Sequence, residues 1–294
     1  MLVILFCMAA GFLAHKLGYL GGETDQRLCR LILGITMPCL ILGSVSAGDT
    51  LPSAGEILSI LKVAAVYYGL GFLAAAFVPR LLGGTAKQQG VWRYCLVFAN
   101  MAFIGYPVSV ALFGQDALFY AVILVLPFNL LSFSLGPLML AGQAKFRWQQ
   151  LTSPCVIAAV AALVVALCRL NIPALAGECL NFVGSLTTPL SLLVVGSLLA
   201  DLPFRRAFTS LRLWILTALR LLILPGVLWL VLKWTGIGTP LVDDIAVILM
   251  ATPAALNGSM LAMEYGGDTE CMAQSIFLTT LMSILTIPVL AALL

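Results

Sequence analysis

Two short stretches of this 294-residue chain combine side-chain hydrogen-bond donors with residues that break helices. The first, FANMAFIGYPVSVALFG from Phe98 to Gly114, holds Asn100, Gly105 and Pro107; the second, ATPAALNGSMLAMEYGGD from Ala251 to Asp268, holds Pro253, Asn257, Gly258 and Ser259. Proline lacks the amide that the helix ladder uses and clashes with the preceding turn, while glycine accepts irregular dihedrals. An interrupted helix therefore bares backbone amides and the positive end of a helix dipole, to which Asn100, Asn257 and Ser259 add neutral donors. Such a set suits holding a carboxylate by hydrogen bonds. Covalent chemistry has no comparable support. The single histidine, His15, stands at the end of an apolar run, so Ser–His and His–metal sites have no partners. The eight cysteines include no CxxC pair and no Cys/His cluster, so no disulfide frame, metal or cofactor is expected.

The elements that must position these residues are membrane helices. Hydrophobic residues make up 62% of the chain and charged residues 9%, with mean hydropathy +1.11, too little polar surface to coat a soluble globule. Apolar runs of about 20 residues, the length that crosses roughly 30 Å of hydrocarbon, recur throughout. They predict ten transmembrane helices at 1–20, 25–46, 54–79, 89–112, 117–141, 151–169, 174–200, 207–232, 241–263 and 269–293. The two donor-bearing stretches fall in the fourth and ninth spans. In hydrocarbon, freed backbone groups must find partners, so broken helices imply buried protein or a wet cavity near the midplane. The first span has no basic segment ahead of it, the reverse of a secretory signal, and is expected to stay in the mature protein.

Basic residues orient the chain. Lys16, Arg27, Arg30, Arg80, Lys87, Arg93, Lys145, Arg147, Arg205, Arg206 and Arg212 all belong to connections on one side, against Lys62, Arg169 and Lys233 on the other. The first side is cytoplasmic by the positive-inside rule, which puts both termini outside an inner-membrane-type bilayer. A net charge of +3, dispersed along loops, indicates no nucleic-acid partner. Trp92, Trp148, Trp214 and Trp234 near span ends are expected in the headgroup layer.

Sliding the chain against itself by 151 residues superposes Pro38 on Pro189, Pro52 on Pro203, Pro137 on Pro288, Thr36 on Thr187 and Ser132 on Ser283; a slide of 152 pairs Asp49 with Asp201 and Asp116 with Asp268. Weak internal symmetry of this kind marks repeated transporter halves. It divides the chain into a five-helix repeat at 1–141, a short cytoplasmic loop at 142–150 and a second five-helix repeat at 151–294, inverted because five is odd. Thr36–Met37–Pro38 and Thr187–Thr188–Pro189 are expected to bend the second and seventh spans. Thr36, Thr188 and Asn129 are further candidates for lining the cavity, although a membrane threonine often bonds its own backbone. Arg220, mid-span in the eighth helix, needs a partner or water: substrate counter-ion and structural bonding to carbonyls or an acid are both open.

At these residues the chain resembles the auxin efflux carrier family, which includes plant PIN-type auxin exporters and bacterial carriers of malonate, malate and related acids. Asn100, Gly105 and Pro107 match its N-x-x-x-x-G-x-P pattern, and Pro253, the run Ala262–Tyr265, Asp268 and Pro288 match a second. The resemblance implies an elevator-type transporter of small organic anions. Spans 1, 2, 6 and 7 would form a scaffold and a homodimer interface, and a transport core would hold crossing, broken spans 4 and 9. Asp116 lies at the edge of span five, whose interior offers only Asn129, Ser132 and Ser134, so no acidic proton carrier is visible and uniport or weak coupling is expected. The alternatives are a sodium-coupled symporter of the bile acid type, a non-transporting sensor of acids, and a membrane-embedded enzyme, the last lacking visible catalytic groups.

Overall fold

The structure, a computed structural model, describes residues 2–46, 54–141, 154–170, 172–201 and 204–294, with the backbone alone for residues 2, 5, 54, 129, 130, 133, 141, 201, 204–206, 260 and 264. The expected loop at 142–150, with Lys145, Arg147 and Trp148, lies outside the described residues, as do Asp49, Pro52 and Pro203. Among the described residues all regular structure is helical apart from one antiparallel bridge between Ala99 and Ala254.

In chain order the helices are α1 (Leu2–Lys16), α2 (Gly22–Leu31), α3 (Met37–Gly43), α4 (Ala54–Leu82), α5 (Ala86–Val97), α6 (Tyr106–Phe113), α7 (Ala117–Ala141) and α8 (Pro154–Cys168). They continue with α9 (Ala174–Gly184), α10 (Thr187–Asp201), α11 (Phe204–Thr209), α12 (Leu211–Ala218), α13 (Leu224–Thr235), α14 (Pro240–Met250), α15 (Asn257–Tyr265) and α16 (Thr269–Leu293). Three single π-helical turns, π1 (Ile32–Thr36), π2 (Met101–Gly105) and π3 (Leu219–Ile223), run directly into α3, α6 and α13.

Each π-turn ends two residues before a proline: Pro38, Pro107 and Pro225. A proline ring clashes with the carbonyl four residues earlier and offers it no amide. That carbonyl belongs to Gly34, Phe103 or Leu221, inside the π-turn in every case, and widening the turn lets the helix continue past the ring. The sequence expectation of bends at Thr36–Pro38 is met by π1, and Ser185 and Leu186 interrupt the helix just before Thr187–Pro189.

Among the described residues five helical stretches are long and apolar enough to cross a membrane by length and composition: Gly22–Gly43, Gly55–Leu82, Ala174–Ala200, Leu211–Thr235 and Thr269–Leu293. Their outer faces are apolar and exposed, as Leu73, Phe77 and Leu81 on α4 illustrate, which suits lipid rather than water. The fourth and ninth spans are instead split. α5 has 12 residues and α14 has 11, each about 16–18 Å long and unable to cross alone. Both are buried over most of their length, α5 over Gly90–Val97 apart from Arg93 and α14 over Ile245–Met250 without interruption, as expected of apolar helices enclosed by others.

Two compact units emerge, each drawn from both halves of the chain: Met1–Leu61, Ala102–Leu126 and Trp148–Asp201 in one, Lys62–Met101, Pro127–Arg147 and Leu202–Leu294 in the other. In the first, α1 packs along α10, and α3 packs on both α8 and α9. In the second, α16 is the central post, touching α5, α11, α12, π3, α14 and α15. The helices of this unit that frame the site have well-made ends. A Thr85–Gln88 capping box starts α5, and Thr239 with Pro240 starts α14. Asp268 accepts from the Cys271 amide to start α16, and left-handed Gly266 (φ 72°) closes α15. α5, α12 and α16 begin around one polar cavity of about 230 Å³ walled by Gln88, Arg212 and Asp268, so the connections preceding them end on the same side of this unit. Trp92 also lines it and is 2% exposed, which corrects the expectation of a headgroup position; Trp234, 90% exposed, has the outward placement expected.

Candidate paired-break site

Where α14 ends, Thr252 and Pro253 exchange a backbone bond for a side-chain one. The Leu249 carbonyl would accept from the amide of residue 253, which proline lacks, and the Thr252 hydroxyl donates to it instead at 2.7 Å. Where α5 ends, Phe98 turns extended (φ −104°, ψ 115°). The two extended stretches then pair: the Asn100 amide donates to the Pro253 carbonyl at 2.7 Å and the Ala255 amide to the Phe98 carbonyl at 3.1 Å. The Ala254 amide donates to the Thr279 hydroxyl on α16 at 3.2 Å. Backbone groups freed by the interruptions thus find partners inside the unit, as burial demands.

Side chains brace this pairing. Phe98 is fully buried, its ring 4.9 Å from Tyr94, 5.7 Å from Phe128 and 6.4 Å from Phe72, centroid to centroid. The Tyr94 hydroxyl donates to Asn257 Oδ1 at 2.9 Å and shares a hydrogen bond with Ser132 Oγ at 3.0 Å, while Asn257 Nδ2 donates to the same Oγ at 3.2 Å. A closed triangle therefore ties α5, α7 and the start of α15.

Of the residues expected at the site, this unit holds Asn100, 3% exposed, buried Pro253, half-buried Asn257 and Ser259, and Asn129, whose side chain lies outside the described residues. Asn100, Pro253 and Asn257 are brought to one place by the bridge and the triangle. Two expectations are corrected. The Gly258 and Ser259 amides turn back to the Ala255 and Leu256 carbonyls, so the start of α15 is less open to a ligand than a bare helix end. Asn257 has already committed its carbonyl and one amide hydrogen to the triangle, which leaves it one donor.

Gly105 and Pro107 belong to the other unit. Gly105 has ordinary helical dihedrals (φ −63°, ψ −49°), since the wide turn π2 already relieves Pro107 and the irregular backbone sits at Phe98–Asn100. Thr36 is buried with its hydroxyl unpartnered among the described residues. In the Thr187–Thr188–Pro189 run, Thr187 is the fully buried, unpartnered hydroxyl and Thr188 is half-buried, so the slide that pairs Thr36 with Thr187 names the better candidate. Tyr94 and Thr279 carried no local signal, since their partners lie 163 and 25 residues away.

A helical chain with several membrane-length apolar helices and two split ones paired through their backbone has the build of a multi-pass membrane transport protein. The family model described as membrane transport protein matches residues 1–145 and 136–291, and the chain belongs to this, the auxin efflux carrier family. It is 24% identical over 295 residues to an uncharacterized transporter of Methanothermobacter thermautotrophicus, covering 98% of this chain and 95% of that one. It is 26% identical over 301 residues to an uncharacterized transporter of Methanocaldococcus jannaschii, covering 97% and 95%. A Rhizobium meliloti protein whose name proposes malonate transport is 23% identical over 290 residues, covering 94% and 89%. These relatives and the family are transporters and not enzymes.

Proposed function

We propose that the protein carries a small organic anion, a mono- or dicarboxylate, across the membrane and binds it beside the paired interruptions of spans four and nine. The observation that carries this reading is the reciprocal backbone pairing of Asn100 with Pro253 and of Ala255 with Phe98. It costs two apolar helices their continuity, which a purely structural bundle would have no reason to give up. Asn100, the remaining donor of Asn257 and Ser259 supply neutral hydrogen bonds for a carboxylate, with Asn129 of the same unit a further candidate. The name of the Rhizobium meliloti relative favours a dicarboxylate such as malonate.

In this reading the chain crosses an inner membrane ten times as two inverted five-helix repeats, both termini outside. It works as an elevator on a dimeric scaffold of spans 1, 2, 6 and 7. The first compact unit, which collects those four spans, supports the division, although the boundary runs through spans three, four and five rather than between them. Transport is uniport or weakly coupled. The test is uptake of labelled acetate, malonate and malate into proteoliposomes, with and without sodium and proton gradients, by the native chain, Asn100→Ala and Pro253→Ala. Saturable uptake of one acid, lost in both variants, is expected. Full uptake by both would move the site elsewhere, and strict sodium dependence would replace uniport with symport.

A further inference from the structure

Arg220 is fully buried at the second position of π3, inside the membrane-length helix Leu211–Thr235. Its Nε, Nη1 and Nη2 are all buried, and among the described residues none has a hydrogen-bond partner. A guanidinium does not shed its proton, so it cannot escape burial by neutralising as a lysine or carboxylate can. The structural role left open by the sequence would tie it to carbonyls or an acid, and no such tie is made.

Its polar surroundings share this condition. The Tyr67 hydroxyl of α4 is buried and close enough to interact with the guanidinium, but makes no hydrogen bond of full geometry to it or to any other described residue. Thr217, one turn earlier on the same helix face, has a buried hydroxyl with no partner. Arginine side chains on helices lean toward the preceding turn, the turn that carries Thr217. Four buried hydroxyls on α16 behave differently: Ser275, Thr279, Thr280 and Ser283 all donate to carbonyls of their own helix at 2.7 Å. What remains unpaired around Arg220 is thus a cluster dominated by donors with one fixed positive charge, complementary to an anion with planar oxygens.

The cluster also adjoins the paired interruptions. The Tyr67 ring packs on Tyr68, centroids 4.8 Å apart, and the Tyr68 hydroxyl reaches Met101 Sδ at 3.8 Å, next in sequence to Asn100. Cys95, within electrostatic reach of Arg220, is one turn before Phe98. We propose that Arg220, with Tyr67 and Thr217, forms the receptor for a carboxylate of the transported anion and selects charged substrates over neutral ones. This rests on the transport reading above but names a different set of residues, which allows the two to fail separately.

The test compares the full chain with Arg220→Gln, Arg220→Lys and Tyr67→Phe in proteoliposomes and detergent, using labelled malonate, its uncharged diamide and sodium chloride as probes. Arg220→Gln is expected to lower kcat/KM for malonate by about a hundredfold and to lose the preference for malonate over the diamide. It should also abolish the rise in Tm that malonate gives the native chain. Arg220→Lys, which keeps the charge without the fork, raises KM about tenfold with the maximal rate little changed, and Tyr67→Phe raises it by less. Should Arg220→Gln fail to fold, the KM of Arg220→Lys and Tyr67→Phe decides. Native KM in both, or in Arg220→Gln, overturns the proposal. A Tm rise with chloride as large as with malonate, lost in Arg220→Gln, assigns the receptor to a resident inorganic anion and also overturns it. Failure of the native chain to carry any acid sinks the transport reading itself.

Discussion

Main chain approaches main chain closely in both compact units, by opposite means. In the first, α1 and α10 remain unbroken and touch at glycines: a Cβ on Gly11 would strike the backbone of Leu193, and one on Gly196 the backbone of Met8. In the second, α5 and α14 stop, and extended residues meet through amide-to-carbonyl bonds at Ala99 and Ala254. Glycine contact keeps every backbone group inside its own helix and leaves nothing for a ligand. Pairing by interruption takes groups out of the ladder and sets them beside Asn100 and Asn257. The polar side chains follow the same division. His15 Nδ1, Ser197 Oγ and Asp25 form a chain in the first unit in which Asp25 takes both the Ser197 hydroxyl and the Gly21 amide, whereas Arg220 in the second has no such bond among the described residues. The contrast fits the proposed transport reading, in which the second unit receives the anion and the first holds its shape.

The largest effect expected from this contrast is on folding. Gly196→Leu puts a side chain where α1 has only backbone, which cannot give way as a flexible side chain would, and should cost more than the about 1–3 kcal/mol typical of overpacking. Gly226→Leu, with open space around it, should leave yield and Tm near native. Size-exclusion profiles and Tm of the two variants decide, and a well-folded Gly196→Leu would break the comparison.

Next comes Thr279→Val, which keeps shape but removes the acceptor of the Ala254 amide. A buried N–H without a partner costs about 1–3 kcal/mol, so Tm falls, and uptake falls further because the amide belongs to the paired stretch. Thr280→Val is the control. That hydroxyl is equally buried but bonds only the Ile276 carbonyl of its own helix, and its loss should leave uptake at the native rate. Equal loss of uptake in both would show that α16 matters to the site only through its packing.

Tyr94→Phe is expected to be milder. It removes two hydrogen bonds, but the direct bond between Asn257 and Ser132 survives, so no buried group is stranded and the cost stays at about 1 kcal/mol. With its carbonyl released, Asn257 can turn, and KM for the carried acid should shift while Tm moves little. An unchanged KM would reduce the triangle to bracing.

What the sequence made legible was the chemistry that acts within one turn. Pro107 and Pro253 break or widen helices by what a proline ring lacks, wherever they stand, so the split spans could be read directly. The π-turn before Pro225 follows the same rule but was not foreseen, because a proline does not announce whether the helix will widen, bend or stop. Gly105 was expected to be irregular and is helical, since the turn around it absorbs the strain. Thr187 and Thr188 differ only by which face of α10 turns inward, a difference of 100° that two adjacent threonines cannot reveal. Tyr94, Tyr67 and Thr217 were invisible for a different reason: an aromatic or a threonine in an apolar span has no signature until residues far away in sequence are placed against it.

The smallest effect should come from the satisfied chain in the first unit, and it tests the division most finely. Ser197 bridges the end of α1 and the start of α2, accepting from His15 Nδ1–H at 3.0 Å and donating its one hydroxyl hydrogen to Asp25 at 2.6 Å. Ser197→Ala takes one donor from a buried carboxylate but leaves it the Gly21 amide, so about 1–2 kcal/mol of stability is lost rather than the larger penalty of a stranded charge. Because these groups serve packing, kcat and KM for the carried acid should remain native at temperatures below the lowered Tm. A change in KM with no change in Tm would be incompatible with a unit that only holds its shape, and would make the His15–Ser197–Asp25 chain part of the transport cycle.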